Sequence, residues 1–332
     1  MKHKVDNFNS YDGEELNPII LEILDSLRKG RDFNVENYVD EKLHLLNNYF
    51  GEYGIDTAVI SVSGGLDSAV VYALLMKLKN EKNSNLKDVY SLTLPYSKSK
   101  GMINQSSTIS RSADLVGKFG GTLLHIDLSK PLNSLMKEVK SELITSGSNW
   151  SEGQLVSYLR TPTYYYVTAL LNDIGKRAVV VGTTNKDEGA YLGYFGKASD
   201  GLVDIQLISD IHKSEVYELA SYLDVPKSIL NAIPTGDMYD GRVDEEVFGA
   251  PYDFVELFLL MKELDIDTYK SILEIISSYP LAYSQFEKFN ENLEKLHSYN
   301  KHKYLGASPA VHMDVIPYFI EHGWKYYNYA VQ

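Results

Sequence analysis

The sequence predicts an α/β protein, with a Rossmann-like parallel sheet covered by helices on both faces and a helical C-terminal extension. Three observations carry this expectation. Short β-branched runs alternate with longer stretches of helical period from residue 57 to residue 183. A Gly64-Gly65 break sits directly between the first such run and the helical stretch after it. Beyond Gly182 the alternation stops, and residues 252–298 read as helical and acidic.

Taken in order, Val39, Leu43, Leu45, Leu46 and Tyr49 fall at near-helical spacing over residues 36–53. Thr57-Ala-Val-Ile-Ser-Val-Ser63 reads as a buried strand, and Ser68 to Lys79 returns to helical period. Val89 to Leu94 is then a strand, Ser106 to Phe119 a helix, Thr122 to Leu128 a strand and Leu132 to Leu143 a helix. A polar loop follows at 145–151. Gln154 to Leu171 is a long helix, and Arg177 to Thr183, with Val179-Val180-Val181, is a strand. Such alternation implies βαβ units and a parallel sheet. In these sheets ligands bind beyond the carboxyl ends of the strands. Lys213 to Leu223 is helical, and Pro226 opens another short helix. Residues 233–251 form a second long loop, punctuated by Pro234, Gly236, Gly241, Gly249 and Pro251.

The expected organisation is an N-terminal extension (1–35) with one amphipathic stretch from Ile19 to Leu27, a main domain (36–310), and an irregular, aromatic C-terminal tail (311–332).

Composition narrows the function. With 44% apolar and 23% charged residues, the chain as a whole is globular and not disordered. A net charge of -13 repels phosphate backbones, which argues against bulk binding to nucleic acid or to an anionic membrane. Zero cysteine excludes thiol nucleophiles, Cys-ligated zinc and iron–sulfur clusters. Met1 to Asn9 is polar and no apolar run is long enough to span a bilayer, so a cytoplasmic protein is expected.

Ser61-Val-Ser-Gly-Gly-Leu-Asp-Ser68 carries the chemistry. Two glycines let the backbone approach an oxyanion. The following helix aims free N–H groups and a positive dipole end at the same space. Ser63 and Ser68 add hydroxyls. No Gly-Lys-Ser/Thr is present, so this is not a Walker loop. Asp67 beside phosphates is repulsive unless a hard cation bridges them, which predicts Mg2+. The plain alternative is a glycine turn with Asp and Ser capping a helix.

This motif resembles the PP-loop of ATP pyrophosphatases, which cleave ATP between the α and β phosphates and adenylate a substrate. The succession Val181-Gly-Thr-Thr-Asn-Lys-Asp-Glu188, Gly193-Tyr-Phe-Gly-Lys-Ala-Ser-Asp-Gly201, Val203-Asp204, Asp210-Ile-His-Lys-Ser214, Pro234-Thr-Gly-Asp237 and Asp244-Glu245 is similar to that of NAD synthetases. The resemblance spans roughly residues 36–310. It implies that Ser61, Ser63, Gly64, Gly65, Leu66, Asp67 and Ser68 hold ATP phosphates, and that Asp67 and Glu188 ligate Mg2+. Thr183, Lys213 and Thr235 would contact ATP. Arg160, Lys197, Asp204, His302 and Lys303 would contact deamido-NAD. Asp67, Glu188 and Lys213 would be the catalytic set. Lys213 at a helix start is unfavourable with the dipole, which itself points to an anionic neighbour.

Two departures bear on substrate. The family's Gly-Asn-x-Gln-Ala-Arg-x-Arg-Met is here Gly153-Gln-Leu-Val-Ser-Tyr-Leu-Arg-Thr161, so Tyr158 stands at the first arginine. A phenol cannot form a bidentate ion pair, so dinucleotide recognition is either rebuilt or changed. One extra residue also separates Glu188 from Gly193. The nitrilase-like glutaminase domain of some relatives needs a catalytic cysteine and more chain than the 60 residues ahead of Ser61. The expected nitrogen donor is therefore ammonia, free or delivered by a separate glutaminase subunit.

The expected reaction is ATP-dependent amidation of deamido-NAD through an acyl-adenylate, with ATP and Mg2+ required. Asp200 and Asp237 are candidate proton acceptors. The alternatives are a related ligase for another carboxylic acid, or a nucleotide-binding module without turnover. A homodimer is implied, and the aromatic face around Tyr164-Tyr-Tyr166 is either its interface or core.

Overall fold

The computed structural model describes residues 13–96, 106–233, 242–303, 308–316, 318–321, 323–324 and 327–331. The chain opens with α1 (Pro18–Arg31) and α2 (Val35–Tyr53). The alternating part follows as β1 (Thr57–Ser61), α3 (Leu66–Lys79), β2 (Asp88–Thr93), α4 (Ser106–Phe119), β3 (Thr122–His125), α5 (Ser129–Leu143), α6 (Asn149–Asp173) and β4 (Ala178–Gly182). Then come α7 (Lys186–Gly189), β5 (Ile205–Gln206), α8 (Lys213–Tyr222), α9 (Lys227–Leu230), α10 (Asp244–Phe248), α11 (Tyr252–Glu263), α12 (Ile266–Ser277) and α13 (Pro280–Asn300). The last strands are β6 (Val311–His312) and β7 (Tyr327–Asn328).

All pairings are parallel, in the order β3-β2-β1-β4-β5-β6-β7. β1 is central, with Thr57 opposite Asp88 on one side and Ala178 on the other. Successive strand residues face opposite sides. Ala58 and Ile60 therefore join the core formed with α2, α3 and α8, while Val59 joins the core beneath α5 and α6. α3 is apolar nearly all round, as befits a helix enclosed by the sheet, α2, α4 and α8. The strand order reverses between β1 and β4, since β1 continues to β2 on one side while the chain returns at β4 on the other. A crevice opens at such a switch point, beyond the carboxyl ends.

Three expectations about local structure are corrected. The 311–332 tail is not wholly irregular, because β6 and β7 extend the sheet past β5. Two-residue strands are too short for any periodicity to show. The polar loop ends earlier than expected, since Ser148 and Ser151 form a capping box that starts α6 at Asn149. The 233–251 stretch contains α10, which ends at Gly249 in the left-handed region.

The helix expected near residues 19–27 is present as α1. It buries Ile20 and Leu24 in a third core, shared with α11 and α13.

Candidate active site

The loop after β1 is shaped by one glycine above all. Gly64 has φ +77°, and a Cβ there would lie 2.5 Å from the backbone oxygen of Thr108 on α4. Only glycine meets both demands. Within the loop, Ser63 Oγ accepts from Gly65 N at 3.3 Å and lies 3.2 Å from Ser68 Oγ, which donates to Gly65 O at 3.1 Å. From α4, Arg111 Nε donates to Gly64 O at 2.8 Å and Ser112 Oγ to Val62 O at 2.8 Å. Leu66 is buried in the core below the loop.

Asp67 sits in the first turn of α3, and Glu188 lies on α7, just past β4. Because β1 and β4 are neighbours, the two carboxylates converge. Asn185 Nδ2 donates to Asp67 Oδ1 at 2.8 Å and to Glu188 Oε1 at 2.9 Å. Lys213, the first residue of α8, places Nζ 2.5 Å from Asp67 Oδ2 and 3.7 Å from Glu188 Oε1. Tyr252 OH bridges Glu188 Oε1 at 3.3 Å and Asp244 Oδ2 at 3.0 Å, and Tyr194 OH donates to Asp244 Oδ1 at 3.1 Å.

Electrostatics follow from the geometry. Burial, then the charge on Asp67, push the Glu188 carboxyl well above its ordinary range, and Lys213 only partly offsets this. Burial raises Asp244 likewise. Burial pulls the Lys213 ammonium down, but Asp67 and Glu188 outweigh it and hold the group charged above its ordinary value. One ammonium thus faces three carboxylates. A 210 Å³ cavity opens beside it, lined by Lys213, Ser214, Tyr217, Tyr252 and Glu245 among others.

Beneath, Asp187 accepts from the Lys213 backbone N–H at 2.7 Å and lies 2.6 Å from His212 Nδ1, the residue that precedes α8.

The other sequence candidates spread along the neighbouring loops. Thr183 is half-buried at the end of β4. Lys197 and Asp200 are exposed on the 193–201 loop. Asp204 accepts from Val180 N at 2.7 Å and Tyr165 OH at 3.1 Å, so its carboxylate is engaged in the fold. Lys303 Nζ donates to Gly193 O at 3.0 Å and Phe195 O at 2.8 Å, and burial lowers it to about 8. His302 is exposed, with Nδ1 2.8 Å from Tyr299 O. Tyr158 is exposed and donates to Gln154 Oε1 of its own helix at 3.1 Å, and Arg160 is half-buried two residues on. Thr235, Asp237 and Ser97 to Gly101 lie outside the described residues.

Motif spacing gives no role to Asn185, Tyr194, Tyr252 or Arg111. For Asn185 a signal exists, since Asn followed three residues later by Glu is helix-capping spacing, and its Oδ1 accepts from Glu188 N at 3.1 Å. The tyrosines and Arg111 carry no comparable signal.

A sequence model of the family described as NAD synthase matches residues 38–305. The NH(3)-dependent NAD(+) synthetase of Syntrophomonas wolfei subsp. wolfei is 34% identical over 229 residues, covering 68% of this chain and 83% of its own. That of Alkaliphilus oremlandii is 30% identical over 232 residues, covering 68% of this chain and 86% of its own. Among solved structures, an NMN synthetase from Francisella tularensis aligns with a TM-score of 0.65 at 26% identity, covering 83% of this chain and 99% of that one.

Proposed function

The chain belongs to the NAD synthase family, and from that premise we propose that it amidates the pyridine carboxylate of deamido-NAD, using ATP and ammonia and releasing AMP and pyrophosphate. The observation that supports this most is the meeting of Asp67, Glu188 and Lys213 at the mouth of a glycine-built phosphate loop. Ammonia as donor agrees with the names of the relatives, both NH(3)-dependent NAD(+) synthetases. It arrives free or from a separate subunit.

Two half-buried carboxylates sharing one amide donor, one of them pushed up by burial and then by the other's charge, suit a hard divalent cation. Asp67 and Glu188 would hold Mg2+. Among the described residues no group of three or more His, Cys, Asp or Glu side chains is set to hold a metal ion, so phosphate oxygens would complete the ligand set. The ion supplies charge neutralisation for the triphosphate.

This chain's own residues do the rest. N–H groups at the start of α3 and the hydroxyls of Ser63 and Ser68 receive phosphate oxygens. The substrate carboxylate oxygen bonds to the α-phosphorus, the bond from that phosphorus to the bridging oxygen breaks, and pyrophosphate leaves with its charge beside Lys213. Ammonia then attacks the acyl carbon, AMP leaves, and the surplus proton passes to a nearby acceptor, for which Asp200 is the candidate among the described residues. Positioning and electrostatics carry most of the rate, as in other phosphoryl-transfer sites.

A homodimer and a cytoplasmic setting complete this reading. The exposed Tyr158, Tyr166 and Leu170 of α6 support the former. No helix among the described residues is long and apolar enough to cross a membrane.

The test is incubation with deamido-NAD, MgATP and ammonium, with mass detection of NAD and AMP. ATP binding without AMP formation would refute it.

A second reading keeps the chemistry and changes the acid, making it nicotinic acid mononucleotide. Tyr158 stands where the family carries an arginine, its hydroxyl is bonded within its own helix, and a Francisella NMN synthetase is among the similar structures. Comparison of kcat/KM on the two acids separates the readings.

A further inference from the structure

We propose that Arg31, at the end of a helix outside the family-matched span, is a positioning residue for Lys213. The inference rests on the reading of Lys213 as the group that faces the leaving pyrophosphate.

α1 is anchored at both its apolar face and its last turn. Ile20 and Leu24 are fully buried in the core made with α11 and α13. Arg28, three residues from the helix end, donates to Glu256 of α11 through Nε at 3.0 Å and Nη2 at 2.6 Å. The last residue of α1 is therefore fixed relative to the helical layer.

Arg31 then reaches α8. Its Nε pairs with Glu215 Oε1, its Nη2 lies 3.0 Å from Glu215 Oε2, and the same Nη2 donates to the Asp210 carbonyl at 2.8 Å. Glu215 Oε2 in turn accepts from the backbone N–H of His212 at 2.8 Å, which caps α8. The guanidinium thus grips the chain on both sides of Lys213, at residue 210 and at residue 215. Asp187 holds the Lys213 backbone N–H from beneath. The stem of Lys213 leaves this clamp and delivers Nζ to Asp67. Both side chains of the Arg31–Glu215 pair are nearly buried, at 8% and 5% exposure, so solvent screens them little. A planar fork suits these three acceptors and a lysine does not.

The experiment uses the full chain in five forms: unaltered, Arg31→Ala, Arg31→Lys, Lys213→Ala, and Arg31→Ala with Lys213→Ala. Thermal melts report folding. Steady-state ammonia-dependent pyrophosphate release gives kcat and KM for ATP. Misplacing a reacting group by about 1 Å costs on the order of 10²-fold. Arg31→Ala is therefore expected to lower kcat about 10- to 100-fold, with KM moving far less. Arg31→Lys restores part of the loss. In the Lys213→Ala background, Arg31→Ala has almost no further effect, because the group it acts through is gone.

The same fold-loss in both backgrounds overturns the inference, as does a folded Arg31→Ala protein with unaltered kcat. If Arg31→Ala shows no melting transition, Arg31→Lys replaces it in the same cycle and the same outcomes decide. Lys213→Ala turning over as fast as the unaltered chain overturns the reading of Lys213 and this inference with it. That failure is distinct from an equal loss in both backgrounds.

Discussion

Lys213→Met removes one ammonium and leaves most of the stem in place. In the folded protein that ammonium is 2.5 Å from Asp67 and 3.7 Å from Glu188, with Asp244 close behind. Without it, the three carboxylates keep the hydrogen bonds from Asn185 and from the phenols of Tyr194 and Tyr252 but lose that ammonium. Breaking a buried pair on one side costs about 3–5 kcal/mol. Asp67 and Glu188 keep some contact with water, at 20% and 18% side-chain exposure, so the lower figure applies. For a chain of 332 residues, at about 2.1 cal/mol/K of unfolding entropy per residue, about 3 kcal/mol lowers Tm by roughly 4 °C. On the proposed mechanism, in which the ammonium faces charge that develops on the leaving group, the catalytic loss is larger, on the order of 10²- to 10³-fold in pyrophosphate release. Calorimetric melts without nucleotide and a coupled pyrophosphate assay read the two effects. Adding Asp67→Asn should return most of the lost Tm and none of the activity, since it relieves the repulsion without restoring a cation. An unaltered Tm together with unaltered pyrophosphate release in Lys213→Met would refute the electrostatic account.

Three further predictions follow from other parts of the molecule. Gly64→Ala places a methyl group 2.5 Å from a backbone oxygen at a left-handed φ, and should cost at least about 1–2 kcal/mol and weaken ATP binding, as read by melts and calorimetry. Tyr158→Arg restores a bidentate donor, and should raise kcat/KM for deamido-NAD relative to the mononucleotide acid by about tenfold, the equivalent of one charge-assisted bond. His312 is held neutral inside the sheet, its pKa lowered from 6.5 to about 3, first by burial and then by the charge on Lys42. A lowered folded value means that its contribution to stability is complete above pH 6.5 and is lost as pH falls toward 3, a span worth about 5 kcal/mol. His312→Gln should therefore flatten the stability profile between pH 6 and pH 4 in denaturant titrations; an unaltered slope there would count against the burial argument.

How much of this was legible in the sequence depends on the length of the pattern. The βαβ alternation was readable because β1, β2 and β4 are buried runs of five or six residues next to helices of several turns. The sharp turn between β1 and α3 was readable because Gly64-Gly65 with flanking small hydroxyls interrupts a β-branched run just before a helical period resumes. The convergence of Asp67 and Glu188 is a consequence of topology: they follow adjacent strands at the point where strand order reverses. What periodicity could not show was long-range pairing. Arg31 looks like any helix-terminal arginine until Glu215, 184 residues later, meets it. Tyr252 follows a proline in an acidic stretch, and nothing local points it at Glu188. β6 and β7 exist only because β5 offers an open edge.

The density of paired charge around α7 has a physical consequence for how the site works. Lys186, Asp187 and Glu188 are consecutive on one short helix, and successive residues on a helix point about 100° apart. Each therefore meets a different partner: Lys186 pairs with Glu263 at the end of α11, Asp187 with His212 and the Lys213 N–H, and Glu188 with Asn185 and Tyr252. α7 is thus fastened to α11 and to the start of α8, while its third side chain faces the phosphate loop. Glu188 cannot shift without disturbing Asp187, and Asp187 cannot shift without moving Lys213. Catalysis that relies on positioned charge needs this stiffness, because reorganising the site during reaction would forfeit the gain from pre-placed groups. The burial that raises Glu188 and Asp244 works against stability, and a cation held beside these carboxylates, as proposed, would offset it. Stability and occupancy of the site are thereby coupled, so a ligand that binds there only in the folded state should raise Tm by an amount set by its concentration relative to its Kd.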